Sequence, residues 1–146
     1  MKYSQATNYA LHTMLHFVAL PLGKTIGVQQ LAELQGLSPT YLSKILTKLV
    51  KADLIESTPG IHGGYRLTRN KADLSFLEVI HAIEGTASLF QGGVGLHHDS
   101  CLIEHVMMNA EQQMEEYLKE RKLVEFVDQL VAFLEKDAHG SNVLEA

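Results

Sequence analysis

The chain has 146 residues, of which 46% are hydrophobic and 20% are charged, proportions typical of a globular protein of one ordinary domain's length. No run approaches the ~20 consecutive apolar residues that a bilayer-spanning helix needs, and the first residues do not begin an apolar signal segment. We therefore expect a cytoplasmic protein with no membrane partner. The single cysteine, Cys101, excludes an intrachain disulfide framework and a zinc site built from several thiolates of one chain.

The charge of the chain is divided unevenly along its length. Residues 1–71 carry eight basic and three acidic side chains, a net charge of +5, whereas residues 72–146 carry four basic and fourteen acidic ones, a net charge of −10. A polyanion responds to the local field and not to the sum over the whole chain. The basic part therefore indicates a polyanionic partner, with chance segregation of its eight cations as the alternative.

Two helices are predicted before residue 37. Apolar residues recur at helical spacing over residues 4–20, and Pro21 ends that run. A shorter helix is predicted over residues 28–35, where Gly36 suits the left-handed position that commonly follows the end of a helix.

The third predicted helix has a clear start. Ser38 is a good N-cap, and Pro39 stands at the first helical position, where its missing amide hydrogen costs nothing; the helix runs to about residue 52. Its apolar residues form a stripe predicted to be buried: Leu42, Ile45, Leu46, Leu49 and Val50. The residues predicted to face outward include three lysines and no carboxylate: Thr40, Tyr41, Ser43, Lys44, Thr47, Lys48 and Lys51.

The second and third helices, with the turn at Gly36 between them, match a helix-turn-helix. In that motif the N-terminal residues of the second helix reach base edges in the major groove. The alternative is an ordinary amphipathic surface helix. Because surface helices usually interleave both signs of charge, the missing carboxylates favour a nucleic-acid partner.

A β-hairpin is predicted directly after these helices. Residues 54–58 and 65–69 read as two short strands, and the glycine-rich residues 59–64 form the turn. Attached to a helix-turn-helix, such a hairpin is a wing, whose glycines allow the close approach that a minor-groove contact needs. A phosphate-binding loop is the alternative, but the turn lacks the Gly-Lys-Ser/Thr ending and no helix begins directly behind it.

Several segments together resemble a known family. They are MKYS at 1–4, YAL at 9–11, QLAE at 30–33, LSPTYL at 37–42, ILTKL at 45–49 and GIHGGY at 60–65. The chain resembles the Rrf-two (Rrf2) family of bacterial regulators, which includes the iron–sulfur cluster regulator, the nitric-oxide-sensitive repressor and the cysteine-metabolism repressor. The resemblance covers residues 1–85 and continues more loosely beyond them. It implies a mostly α, winged-helix transcription regulator that binds double-stranded DNA as a homodimer, as a repressor on a pseudo-palindromic operator.

The resemblance also implies which residues contact DNA. The base-reading positions of the family fall on five residues: Ser38, Thr40, Tyr41, Ser43 and Lys44. The wing contacts fall on three others: Gly60, His62 and Gly63. The cations Lys2 and Lys48 complete the predicted DNA-binding set. Family wings usually carry an arginine before the first glycine, where this chain has Pro59, so His62 would have to serve in place of that arginine.

The second half of the chain is predicted to supply a dimer interface. Ser75 and Glu78 form a capping box that opens a helix over residues 76–84, which Gly85 closes. Farther along, apolar residues are spaced by four, three, four and three: Ile103, Met107, Ala110, Met114 and Tyr117. This spacing is typical of the contact line of a helix pair, so we expect a partner helix from a second copy; an intramolecular bundle is the alternative.

The chain is thus predicted to have three parts. Residues 1–85 form a winged helix-turn-helix DNA-binding domain with a two-stranded wing. Residues 86–101 form a sensor-type loop. Residues 102–146 hold a long dimerisation helix and a last helix over 124–134, which packs against the first helix or against the partner.

The resemblance raises the question of an iron–sulfur cluster. Cluster-binding members of the family place three cysteines in the segment that corresponds to residues 90–106, and this chain has only Cys101 there. Because protein clusters are held chiefly by thiolates, we expect neither the usual three-cysteine cluster nor another cofactor of that kind.

Other metal donors lie close to that cysteine along the chain: His97, His98, Asp99, Cys101 and His105. Three interpretations stay open for them. The histidines can be solvated beside a buried thiol. The segment can bind zinc or iron, or, as a variant of this case, an atypical cluster that also recruits His12 of the partner subunit. The thiol can be an oxidisable group at a helix start. No effector is identified by the sequence.

Two other function classes compete with DNA binding. A thiol enzyme would use Cys101 as nucleophile and His105 as base, but no third orienting group is evident, and we expect no enzyme. A protein-binding adaptor would use the winged helix without DNA and would show no salt-dependent DNA affinity; the cationic outer face of the third helix argues against it.

Overall fold

The computed structural model describes residues 3–90, 102–132 and 135–136. The helices and strands occur in this order: α1 Gln5–Ala19, α2 Val28–Gln35, α3 Pro39–Lys51, β1 Ile55–Thr58, β2 Gly64–Leu67, α4 Phe76–Glu84 and α5 Leu102–Glu120. Short 3-10 turns occur at Lys71–Asp73 and Leu123–Phe126. This mostly helical fold with a two-stranded antiparallel wing confirms the predicted fold class.

The helix ends follow from local capping. The Ser38 hydroxyl accepts a hydrogen bond from the Tyr41 backbone N–H at 3.1 Å, and Ser75 with Glu78 forms the predicted capping box. Gly36 adopts a φ of +65°, the left-handed conformation in which it ends α2. Each such cap stabilises a helix by about 1 kcal/mol, which explains why the predicted bounds of α2, α3 and α4 are close to those observed.

The hydrophobic core lies where α1, α3 and α4 meet. Met14 of α1, Leu46 of α3 and Val79 of α4 are all fully buried. Four of the five residues predicted to form the buried stripe of α3 are in this core. The prediction for Val50 was wrong, because that side chain is 38% exposed; it stands about 80° around the helix from Leu42, at the edge of the stripe.

The wing is an antiparallel pair in which Thr58 pairs with Gly64 next to the turn and Ile55 pairs with Leu67 at the far end. The second strand was predicted to reach residue 69, and it ends at Leu67. The backbone N–H of Thr68 still donates to the carbonyl of Leu54, in register with the strand pair, and its hydroxyl donates to the carbonyl of Asp53. The pair ends there because Asp53, with a φ of +60°, is not extended and offers no further partner strand.

The C-terminal helices differ in how they pack. No residue of α5 is fully buried, and α5 contacts α4 along one side. The segment after α5 begins with a 3-10 turn and not with the α-helix predicted from residue 124, and residues 127–132 are helical. Leu123 is buried in the core beside α1, and the ring of Phe126 packs edge-on against Phe76 at 5.5 Å. The last segment therefore packs against the first helix. This is one of the two predicted arrangements, the other being packing against the partner subunit.

In the described ranges, no helix combines the length and the apolar character needed to cross a bilayer.

Candidate nucleic-acid interface

The outward side of α3 is exposed as the sequence predicted. Six residues on it are exposed and Ser43 is half-buried; the exposed ones are Thr40, Tyr41, Lys44, Thr47, Lys48 and Lys51. We call this set of seven residues the outer face of α3. None of its three lysines forms an ion pair with another described residue, so their charges are available to an anionic ligand.

The N-terminal end of α3 holds its polar groups in defined positions. The hydroxyl oxygen of Ser38 accepts from the Tyr41 backbone, which fixes the side chain and leaves its hydroxyl hydrogen free to donate. The ring of Tyr41 meets the ring of Tyr9 edge-on, with centroids 5.9 Å apart. Sequence analysis did not identify this support from α1, because the two tyrosines are 32 positions apart in the chain.

A carboxylate borders the outer face of α3, although α3 itself has none. Glu84, at the end of α4, accepts hydrogen bonds of 2.6 Å from the Thr7 hydroxyl and from the Ser4 backbone N–H. These bonds lower the pKa of Glu84, and the charge of Lys48 contributes a smaller lowering. Lys48 therefore lies in a field that is partly neutralised by its own chain, whereas Lys44, one helical turn nearer the N-terminus, stands farther along α3 from that carboxylate.

The tip of the wing is formed by the turn between β1 and β2. Gly60 has a φ of +101°, which suits glycine, and His62 is exposed beside it. Ile61 is 98% exposed, and the sequence analysis did not include this side chain in the DNA-binding set. A Cβ atom at Gly63 would overlap the carbonyl oxygen of Thr58, so the turn requires glycine at this position.

Two cations of the wing and its C-terminal extension are paired within the chain. Arg66 of β2 lies 2.7 Å from the carboxylate of Glu56 across the hairpin. Arg69 forms an ion pair with Glu78 of α4. The predicted excess of positive charge in residues 1–71 is therefore partly used to hold the wing in place.

The predicted dimer residues of α5 do not all point the same way. Ile103, Ala110 and Tyr117 are exposed, whereas Met107 and Met114 are half-buried. The sulfur of Met114 accepts a weak hydrogen bond of 3.7 Å from the hydroxyl of Tyr3.

The exposed apolar side of α5 extends beyond the predicted residues. Val106, which the prediction missed, is 66% exposed on the same side as Ile103 and Ala110. We call Ile103, Val106, Ala110 and Tyr117 the outer stripe of α5. These side chains lie in water in a single copy of the chain.

The candidate sensor residues lie mostly outside the described residues. This holds for His97, His98 and Cys101, and also for the predicted DNA contact Lys2. His105 is exposed in the first turns of α5. In the described ranges, no group of three histidine, cysteine, aspartate or glutamate side chains is arranged to hold a metal ion.

The segment that leads to these residues is attached to α5. The hydroxyl of Ser88 donates to one carboxylate oxygen of Glu111 at 2.6 Å, and the backbone N–H of Leu89 donates to the other at 2.9 Å. The bond from Ser88, followed by the bond from Leu89, lowers the pKa of Glu111. The start of the predicted sensor loop is thereby held against the helix that carries the outer stripe.

The family model described as "Iron-dependent Transcriptional regulator", named Rrf2, matches residues 3–129. The chain belongs to the Rrf2 family of transcriptional regulators. It is 30% identical over 135 residues to YwgB of Bacillus subtilis, an HTH-type transcriptional regulator by name, with 89% of this chain and 86% of that protein covered. The family assignment confirms the resemblance read from the sequence and favours a regulator over an enzyme.

Solved structures share the fold of this Rrf2 protein. CymR (YrzC), titled the global cysteine regulator of B. subtilis, superposes with a TM-score of 0.74 at 22% identity, covering 88% of this chain and 98% of that one. The IscR protein of T. potens superposes with a TM-score of 0.72 at 25% identity, covering 89% and 88%.

The candidate metal-binding residues of this chain do not fit the three-cysteine iron–sulfur cluster that some members of the family bind. Clusters are held chiefly by cysteine thiolates, and the sequence supplies one, Cys101. Oxygen and imidazole groups would have to replace the others, and the described residues do not gather such a set.

Proposed function

We propose that this Rrf2 regulator binds double-stranded DNA in a sequence-specific manner, as a homodimer on a pseudo-palindromic operator. The observation that carries the proposal is the outer face of α3. This face is exposed, has three lysines without an ion pair in the described residues, and lies next to a wing with an exposed tip.

Base recognition is assigned to the N-terminal part of α3. Ser38, Thr40 and Tyr41 offer hydroxyl groups that donate to or accept from base edges, and Ser43 adds a fourth such group one turn farther on. Lys44 offers a cation for a guanine edge or a phosphate. The capped helix start and the packing of Tyr41 on Tyr9 support this assignment, because a preorganised contact loses less entropy on binding.

The remaining contacts are assigned to the phosphate backbone and to the minor groove. Lys48 and Lys2 would neutralise phosphates, and Gly60 and His62 would lie at the minor groove with the wing tip. Ile61 joins them in this proposal, because an exposed apolar side chain at a wing tip suits contact with the sugar walls of the groove. Gly63 stays in the set as a residue that shapes the turn.

A second copy is assigned to the outer stripe of α5. Four apolar side chains of a 19-residue helix that buries none of its residues favour a helix pair. Two-fold symmetry would then present two copies of α3 to two half-sites of one operator. We expect the homodimer to act in the cytoplasm, where it would occlude a promoter and so act as a repressor.

Salt-dependent DNA binding tests the proposal directly. The duplex upstream of the protein's own gene is titrated by fluorescence anisotropy at several salt concentrations. We expect Lys44→Ala to weaken binding and to reduce the salt slope by up to about one unit if Lys44 contacts a phosphate. The matched control is Lys119→Ala, since Lys119 is an exposed lysine on α5.

The outcomes separate the function classes. Equal slopes for the wild type and Lys44→Ala, with equal affinities, would reject the assignment of Lys44. Absence of any salt-dependent affinity for DNA would instead favour the adaptor alternative. Run-off transcription from the bound duplex then distinguishes repression from activation.

A further inference from the structure

A cavity of about 610 Å³ lies at the far end of the wing from its tip. Its apolar wall is formed by Phe17 and Leu20 at the end of α1 and by Leu67 at the end of β2. We call this cavity the base pocket. It is a surface depression next to the hydrophobic core, large enough for one or two side chains of another molecule.

The rim of the base pocket carries one sign of charge. Four cations line it, namely Lys24, Arg66, Arg69 and Lys71, and no carboxylate lines it among the described residues. The two arginines are paired with Glu56 and Glu78, which lie behind them. The two lysines form no ion pair with other described residues. The pocket therefore attracts anions, and its two lysines can engage one without breaking an internal pair.

An exposed leucine stands at the mouth of the same pocket. Leu22 lies between Pro21 and Gly23 in the turn after α1, and its side chain is fully exposed to solvent. The Lys24 backbone N–H donates to the carbonyl of Pro21 at 3.1 Å and closes this turn, in which Gly23 has a φ of +83°. A single exposed leucine is common on protein surfaces, but at this place Leu22 extends the apolar wall of the cavity, where a side chain of a partner would contact it.

The base pocket is directed away from the proposed DNA contacts. The pocket begins at Arg66, near the end of β2 that pairs with Ile55, whereas the tip is at the end where Thr58 pairs with Gly64. Thr68 in its wall is hydrogen-bonded to Asp53 and Leu54, just beyond the C-terminal end of α3. That end is about 20 Å along the helix axis from the base-reading end at residue 38. A duplex on the outer face of α3 and the wing tip would leave the pocket open.

We infer that the base pocket docks an acidic peptide segment of another protein, with one apolar side chain of the segment in the cavity and its carboxylates on Lys24 and Lys71. Charge complementarity favours a carboxylate-rich partner, and the apolar wall together with Leu22 favours a peptide over a nucleic acid, because backbone sugars have no side chain that could enter the cavity. Binding of the peptide to the base pocket does not depend on the proposed function. Only its simultaneous binding with DNA rests on that function.

The test uses the full chain and a defined probe. The probe is a fluorescein-labelled synthetic peptide with a central phenylalanine flanked by aspartates and glutamates. A second peptide has serine in place of the phenylalanine. Binding is measured by anisotropy for the wild type, for Leu22→Ser, and for the double variant Lys24→Glu with Lys71→Glu. The control double variant is Lys119→Glu with Lys136→Glu, which changes the net charge equally at exposed positions away from the pocket.

We expect saturable binding of the phenylalanine peptide. The Lys24/Lys71 variant should bind it about tenfold more weakly than the Lys119/Lys136 control. Leu22→Ser and the serine peptide should each weaken binding several-fold. The salt slope of operator binding should be the same for both double variants, because neither lysine of the pocket contacts a phosphate; the Lys24/Lys71 variant lowers the affinity only through the charge of the DNA-binding part. The peptide should bind the DNA complex as it binds the free protein.

Several results would overturn the inference. One is the absence of saturable peptide binding, and another is an equal loss of peptide binding in the control double variant. A third is a smaller salt slope of operator binding confined to the Lys24/Lys71 variant, which would make the pocket a DNA contact. A change of oligomeric state confined to that variant would make it an interface between copies of this chain. If the protein bound the peptide but no DNA, the proposed function would be rejected and the inference about the base pocket would still hold.

Discussion

The carboxylate of Glu84 accepts a 2.6 Å hydrogen bond from the hydroxyl of Thr7, which joins the last residue of α4 to the first turn of α1. The Ser4 backbone N–H donates to the same oxygen. Glu84 also lies two residues before the predicted sensor loop, and its carboxylate interacts electrostatically with Lys48 of the outer face of α3. One carboxylate thus connects three helices at the border of the proposed DNA-binding surface.

We expect Glu84→Gln to lower the free energy of unfolding by about 0.5–1 kcal/mol at pH 7, because a charged acceptor is lost from two hydrogen bonds. The effect is no larger because the carboxylate is exposed and water screens its charge. The hydrogen bonds lower the pKa of Glu84 in the folded protein. Its stabilisation is therefore present above the pKa of the unfolded chain and is lost as pH falls through the folded pKa. The difference between wild type and variant should narrow in acidic solution.

Urea unfolding at neutral and acidic pH, at one fixed protein concentration, measures this difference. The matched control is Glu120→Gln, an exposed glutamate at the end of α5, which should change stability little. A Glu84→Gln variant as stable as wild type at pH 7, or a difference that does not change with pH, would contradict the assigned role.

The wing turn supplies a second prediction. Gly63→Ala places a Cβ atom against the carbonyl oxygen of Thr58, so the hairpin must shift, at a cost of about 1–3 kcal/mol by analogy with other overpacked sites. Ile61→Ala in the same turn removes only an exposed side chain and should leave the melting temperature unchanged. Calorimetry of both variants tests the contrast, and equal melting temperatures would show that Gly63 is not sterically required.

The outer stripe of α5 supplies a third prediction. Val106→Asp puts a charge into the proposed helix pair, and we expect a monomer at concentrations where the wild type is a dimer. Met108→Asp is the matched control, because Met108 is 52% exposed but lies well over 90° around α5 from Ile103. Sedimentation velocity measures both. If the Val106→Asp variant remained a dimer, the dimer interface would not lie on the outer stripe of α5.

The elements that sequence could predict are those set by local chemistry. Ser38 and Pro39 start α3, Gly36 ends α2, and the Ser75 cap starts α4, each through groups within a few positions of one another. The outer face of α3 followed from helical periodicity alone. The family resemblance added the functional class, which no local pattern contains.

The features that sequence could not predict depend on long-range contacts. Glu84 and Thr7 are 77 positions apart, and nothing in either neighbourhood identifies the other as a partner. Spacing showed that α5 has an apolar stripe but could not show which edge of it α4 covers, so Met107 was included and Val106 was not. The base pocket could not be predicted either, because the end of α1 and the residues after β2 come together only in the folded chain.

The most direct test of the account is the symmetry of the DNA site. A dimer with two copies of α3 requires half-sites one helical turn, or a multiple of it, apart on the same face of the duplex. An operator is selected from a random-sequence duplex library, and its affinity is compared with that of a version with half a turn (~5 bp) inserted at the centre. We predict an inverted repeat whose affinity falls to that of an isolated half-site on insertion. A site without two-fold symmetry, or an affinity indifferent to the insertion, would contradict the account.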